Sequence, residues 1–459
     1  LLIMPTLPVF GDTGAALVSD KDCYATNWPH EKSSLEPDPS LHFGRLENGF
    51  RYVLKINPEP QNRVAVYLNI EAGSIYEQES EQGIAHFLEH LMFNGSTNFP
   101  PGSLVDFFQS IGMNFGGDTN AHTSYEETVY RIILPGGGKD ALQTGLLVLS
   151  DYARGALLFD EEIERERGVI LSERRARDSA GYRLHVAESD FAFRGTKYPL
   201  RRPIGEIKVI KDADQPLLRS YYDAWYRPDN MSIVVVGDTN PELVSRLVEN
   251  HFAKLTSSGN KPDCPEFGRL EHRGLEPFYF YEPELGKVDV SLETFWDLQL
   301  QNDSIALQQR ELTQHIGTMI MGYRLQKLLE KEDLPFSYGR YHAGNIMQRI
   351  GYGSIAAQTD SRGWRQSLAL LEQTLRQALQ YGVTGNEVER AKKEIFEQLE
   401  SKIISEPSQN SRRIARRIIH HLNTNRVYQS PEQEYQLYAP IVERISVSDV
   451  NKGFRKVWS

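Results

Sequence analysis

The sequence predicts an α+β protein of two similar domains, each an antiparallel sheet with helices packed on it. Three observations carry that expectation. Each half opens on strand-like alternation and then turns to helix-like segments. E-I-E-R-E-R-G-V-I-L-S-E at 162–173 aligns without gaps against E-V-E-R-A-K-K-E-I-F-E-Q at 387–398. Between the halves lies T-S-S-G-N-K-P-D-C-P, a stretch of turn formers suited to a linker. At 459 residues the chain is long enough for two domains, or three at most.

Residues 1–40 hold no sustained period and many turn residues, and read as an extended N-terminal arm. R-Y-V-L-K-I-N-P and R-V-A-V-Y-L-N-I-E-A-G then alternate apolar and polar residues and are rich in β-branched and aromatic types. That is the pattern of two strands of one sheet that bury a single face. Segments 83–93 and 103–111 read as helices, T-S-Y-E-E-T-V-Y-R-I-I-L as a strand, and 139–158 and 160–183 as two longer helices. M-S-I-V-V-V-G-D reads as a buried strand and 241–252 as a helix, which places a first domain at 41–255 and the linker near 255–272. In the second domain, 273–459, F-Y-F-Y-E-P and V-D-V-S-L-E-T-F-W read as strands, and 304–332 and 364–380 as helices.

Composition narrows the function. With 40% hydrophobic and 25% charged residues the chain resembles an ordinary globular protein. No run nears the roughly 18 apolar residues of a membrane helix, so no membrane span is expected. A net charge of −11 lacks the basic footprint of nucleic-acid binding, and nucleic acid is not an expected partner. Two cysteines, Cys23 and Cys264, are too few for a disulfide scaffold or a Cys-rich zinc site. The opening L-L-I-M-P-T-L-P-V-F reads either as the remnant of an export signal, which would place the protein in a bacterial periplasm, or as an apolar arm compatible with a cytoplasmic location.

The chemistry concentrates in G-I-A-H-F-L-E-H-L-M-F-N-G, where three polar side chains interrupt an apolar run. His86 and His90 are four residues apart, so a helix directs both imidazoles at one point. Zinc takes neutral imidazole nitrogen, and a catalytic site keeps three protein ligands and an open position for water. Glu89, next to the second histidine, is free to take a proton from that water. The order is H-x-x-E-H, the inverse of the commoner H-E-x-x-H. Glu166 and Glu173, seven residues apart and so on one helical face, are the candidates for a third ligand.

Together with T-N-A-H-T-S-Y-E-E-T-V-Y and E-R-E-R-G-V-I-L-S-E, this motif resembles the pitrilysin and insulinase family of zinc metalloendopeptidases, the inverzincins, which include the mitochondrial processing peptidases. The resemblance covers most of residues 40–255, and the second half more loosely. It implies one Zn2+ per chain held by His86, His90 and Glu173, with Glu89 as general base and Glu166 supporting the site from outside the ligand set. It also implies that G-G-D-T-N-A-H-T-S-Y is the strand to which an extended peptide or unfolded protein adds, along Asn120, Ala121 and Thr123.

One departure follows from the same comparison. Family members often carry an Arg and a Tyr that reach bound substrate within a stretch similar to R-E-K-x-G-L-x-Y. Here the stretch is L-E-K-E-D-L-P-F, with Leu329 and Phe336 at those positions. Family proteases enclose substrate between two two-domain halves. The expected partner is therefore a second half, as a covalent continuation, a homologous subunit or a self-dimer. The competing reading is a non-catalytic or assembly-dependent half of a larger clamshell complex.

Overall fold

The computed structural model describes residues 27–459 except positions 115, 260 and 332. Most of the expected N-terminal arm, the export-signal reading and Cys23 lie outside the described residues. The described end of the arm packs down: Trp28 is buried with its ring 5.1 Å from that of Phe43, and Asp38 pairs with Lys55 at 2.7 Å.

The first sheet contains β1 (Leu41–Arg45), β2 (Arg51–Ile56), β3 (Val64–Ile70), β4 (Thr119–Thr123), β5 (Thr128–Leu134) and β6 (Met231–Gly237) in the order β1-β2-β6-β3-β5-β4. The second contains β7 (Val288–Asp297), β8 (Phe336–Ile346) and β9 (Ile350–Thr359) in the order β7-β9-β8, all antiparallel. Helices of the first half are α1 (Ile84–Leu91), α2 (Ser103–Ser110), α3 (Lys139–Arg154), α4 (Asp160–Arg177), α5 (Ala180–Ala192), α6 (Ile207–Asp212), α7 (Gln215–Trp225) and α8 (Pro241–Phe252). The second half adds α9 (Ile305–Leu329), α10 (Trp364–Tyr381), α11 (Gly385–Ser405), α12 (Ser411–Asn423), α13 (Pro431–Arg444) and α14 (Val447–Val457).

The α+β class is as expected, with two corrections to the first sheet. The β2–β6 ladder is parallel, because β6 arrives after a long helical excursion and inserts between β2 and β3. Nor does β3 bury a single face: all of its residues are buried. Val64, Val66, Leu68 and Ile70 enter the core under α1, α3 and α7, while Ala65 and Tyr67 meet Ile414, Ala415, Ile418 and Ile419 of α12. The apolar stripe of α12 closes the outer side of the sheet, so a helix from beyond the linker completes the core of the first half. Polar bonds fix it at both ends: Ser411 Oγ donates to the Glu59 carbonyl at 2.7 Å and Asn69 Nδ2 donates to Asn423 Oδ1 at 2.7 Å.

Other differences are local. Of the expected strand T-S-Y-E-E-T-V-Y-R-I-I-L, Thr123 ends β4 and Thr128–Leu134 form β5, with a turn between them in which Ser124 N donates to the Glu127 carbonyl at 2.8 Å. The helix expected over 160–183 stops at Arg177 because Ser179 caps a new one, its hydroxyl accepting from Tyr182 N at 3.2 Å. F-Y-F-Y-E-P is not a strand. It runs along α5, with Phe278 against Phe191 and Glu282 paired to Arg183 at 2.8 Å, leaving Tyr279 and Tyr281 exposed. The aligned segments at 162–173 and 387–398 each start at the third residue of their helices, α4 and α11. Leu329 and Phe336 pack into the core of the second sheet.

Candidate metal centre

The short helix α1 turns Ile84, Phe87, Leu88 and Leu91 into the core, which leaves His86, Glu89 and His90 on its remaining face. Its start is fixed by two devices. Gly83 has φ +102°, and an added Cβ would stand 2.8 Å from the Gly205 backbone, so only glycine serves there. Glu77, fully buried, accepts from Gly83 N and Ala85 N, both at 2.9 Å, and so satisfies donors that a helix start leaves free. Burial pushes the Glu77 carboxyl up, and those two N–H groups oppose the shift. Arg201 holds the segment by donating to the Glu77 carbonyl at 2.9 Å. Glu77→Ala is expected to lower unfolding stability by about 2–4 kcal/mol, through loss of two buried hydrogen bonds that leaves their N–H donors unsatisfied in a dry site, and to weaken zinc retention. Thermal melts with and without zinc check this; an unchanged melting point in both would contradict it.

Opposite lies α4. Its buried Ile163 and Ile170 seat it, and the same spacing brings Glu166 and Glu173 over α1. The ligand atoms of His86, His90 and Glu173 all fall within 4.8 Å of one another. Glu173 Oε2 is 3.7 Å from His86 Nε2 and 3.5 Å from His90 Nε2. These separations are long for hydrogen bonds, but two ligands held tetrahedrally at zinc distances stand about 3.3 Å apart, so the cluster fits that ion.

The surroundings set the protonation and aim of these groups. Burial, and then the neighbouring His90, push His86 down to about 4, which keeps its ring neutral as a ligand must be. His90 Nδ1 lies 3.0 Å from Glu166 Oε2, and Asn94 Nδ2 donates to Glu166 Oε1 at 2.7 Å. That bond assigns the proton to Nδ1 and aims Nε2 at the cluster. Burial lowers His90, but the bond to Glu166 and the surrounding carboxylates outweigh it, and the net direction is up. Burial raises Glu166, and its bonds to His90 and Asn94 overcome this, so that carboxyl lies below its usual range. Arg177 bonds Glu173 Oε1 and leaves Oε2 to the histidines.

Glu89 is buried beside the cluster and accepts from Thr123 Oγ1 at 2.7 Å. Burial pushes its carboxyl up, with the Thr123 bond opposing. Thr123 ends β4, the edge strand of the first sheet, so the sheet edge and the carboxylate are linked directly. Of the residues expected along that strand, Asn120 is exposed, Ala121 packs against the inner core, and Thr123 turns toward Glu89. Sequence reasoning missed Glu77, Asn94 and Arg177. A carboxylate shortly before a helix start was the available signal for Glu77, whereas nothing local marks the other two.

Comparison with known proteins agrees with this geometry. A family profile described as "Insulinase (Peptidase family M16)" matches residues 52–203, and one described as "Peptidase M16 inactive domain" matches 213–395. The chain belongs to the insulinase family, peptidase family M16. All of the clustered residues fall within the first of the two matches. Among M16 relatives, the probable zinc protease PqqL of Haemophilus influenzae is 28% identical over 427 residues, covering 92% of this chain and 45% of the relative. PqqL of Escherichia coli is 27% identical over 430 residues, covering 93% and 46%. The crystal structure of that periplasmic protease superposes with a TM-score of 0.85 at 26% identity, over 93% of this chain and 47% of the other. The chain thus spans about half the length of the curated M16 relatives it matches. Among the described residues, no helix is long and apolar enough to cross a membrane.

Proposed function

We propose that the chain is the zinc-binding half of a metalloendopeptidase that cleaves extended or unfolded peptides. The observation that supports this best is the convergence of His86, His90 and Glu173 beside Glu89, with Thr123 of the edge strand bonded to that glutamate. In this reading one zinc ion, held by those three ligands, supplies the Lewis acidity that polarises the scissile carbonyl and acidifies water. Glu89 accepts the proton of the attacking water and delivers it to the leaving amine. Glu166 keeps His90 oriented. Substrate adds as a strand to the free edge of β4, pairing its main chain along Asn120 and Ala121, while Thr123 aims the Glu89 carboxylate. The catalytic unit is then residues 41–255, and 273–459 forms a non-catalytic companion; the inactive-domain match at 213–395 covers much of the latter and reaches back into the former.

The relatives bring two further proposals. A periplasmic location follows the description of the Escherichia coli protein. The other concerns a second half. Leu329 and Phe336 lie in the core of the second sheet and offer no polar contact, so another two-domain half is needed to enclose the zinc and exclude water. Zinc stoichiometry and hydrolysis of a quenched peptide test the activity. Full turnover is expected only in the complete protein or assembled complex; equal specific activity from a chain shown by sedimentation to be monomeric would rule out the need for a second half.

A further inference from the structure

We propose that the outer side of the β4 edge is a basic rim, formed by Arg131, Arg412 and Arg416, that selects acidic side chains of an extended peptide. The inference rests on the peptidase reading above and adds a substrate class to it.

Strand register places the first of these groups. Arg131 on β5 stands opposite Tyr67 on β3 and opposite Asn120 on β4. Tyr67 belongs to the outer core covered by α12, so pleating puts Arg131 and Asn120 on that side, away from Ala121 and Thr123. Tyr67 Oη donates to the Arg412 carbonyl at 3.3 Å, which fixes the start of α12 above this part of the sheet. Along α12 the apolar stripe faces down while Arg412 and Arg416, one turn apart, stay exposed beside it.

Among the described residues, no carboxylate is in ion-pair distance of Arg131, Arg412 or Arg416, whereas Arg417 on the same helix meets Glu434 at 3.3 Å. Asp118 and Glu127, which precede β4 and β5, are already engaged: Asp118 lies 3.8 Å from Arg63, and Glu127 lies 3.0 Å from His122 and also takes Asn423. Arg131 Nε is buried without a hydrogen-bond partner. Burial, and then the charge of Arg412, lower the Arg131 guanidinium; a side-chain bond to Tyr67 opposes them, the charge of Arg416 adds to them, and the net direction is down, so the like charges act on one another.

Gathered cations without an anion repel, and a ligand carboxylate relieves that repulsion. A peptide strand added to β4 would lie about 5 Å beyond it and about 10 Å from β5, and alternate side chains would point to the α12 side. Arginine and glutamate side chains together span that gap. Acidic residues at every second substrate position therefore meet the rim, while the intervening residues face the zinc side.

Three quenched peptides that differ only in carrying Glu, Gln or Lys at alternate positions around the scissile bond test this with the zinc-loaded complete protein or assembled complex at low salt. The Glu peptide is expected to exceed the Gln peptide roughly tenfold in kcat/KM, and the Lys peptide to fall below it. The exposed double variant Arg412→Gln/Arg416→Gln should cleave the Gln peptide as the parent does and lose most of the Glu preference. Equal kcat/KM for Glu and Gln peptides, or a preference unchanged in the double variant, overturns the rim alone. Failure to cleave any of the three overturns the peptidase reading and the rim with it.

Discussion

Replacing Glu89 with glutamine is expected to lower kcat for peptide hydrolysis by roughly 10²–10⁴-fold, the range that a positioned general base supplies. Zinc content should stay at the parent level. Glutamine keeps the volume of the side chain and can still accept the Thr123 hydroxyl that Glu89 accepts at 2.7 Å. What it loses is the ability to take a proton. Because Glu89 stands outside the His86, His90 and Glu173 cluster, the ligand set is untouched. Paired zinc analysis and quenched-peptide kinetics decide the matter, and parent-like turnover in the variant would sink the assigned role.

The second large effect separates the two glutamates of α4. Glu173→Ala removes the carboxylate proposed as the third ligand and leaves Arg177 without its partner, so zinc should be lost to a competing chelator. Glu166→Gln leaves all three ligand atoms in place and only weakens the orientation of His90, for which a loss of roughly 10–100-fold in zinc affinity is expected. A chelator-competition titration of both variants measures the difference. If Glu166→Gln released zinc as readily as Glu173→Ala, the roles given to these residues would have to be exchanged.

Much of this site was legible in the chain because helical periodicity is local. His86 and His90 at one-turn spacing, and Glu166 and Glu173 at two turns, need only the helix repeat to be placed on a face. The choice between the two glutamates was different in kind. Spacing left both open, the family resemblance favoured Glu173, and in the structure the Nδ1 and Nε2 atoms of a single imidazole face one glutamate each. Asn94 and Arg177 could not be anticipated, since each matters only through a carboxylate on another turn or another helix.

The sheets show the same division. Apolar alternation marked residues 51–73 as strands, and the β-branched run at 231–237 marked a buried one. Neither pattern states which strands are neighbours, and β6 entered between β2 and β3 to make one ladder parallel. The aromatic alternation of F-Y-F-Y-E-P is a sound strand signal that found no partner and ran along α5 instead.

By itself, then, the sequence determined the helix faces, the grouping of His86, Glu89 and His90 on one short helix and the α+β class, because each depends on residues within a few turns or strands of one another. Tertiary structure decided what covers the outer face of the first sheet, which carboxylate meets which imidazole nitrogen, and how Thr123 reaches Glu89. Those depend on side chains far apart in the chain. Ile418 and Tyr67 lie some 350 positions apart and share one core, and no periodicity within either segment encodes the other's position.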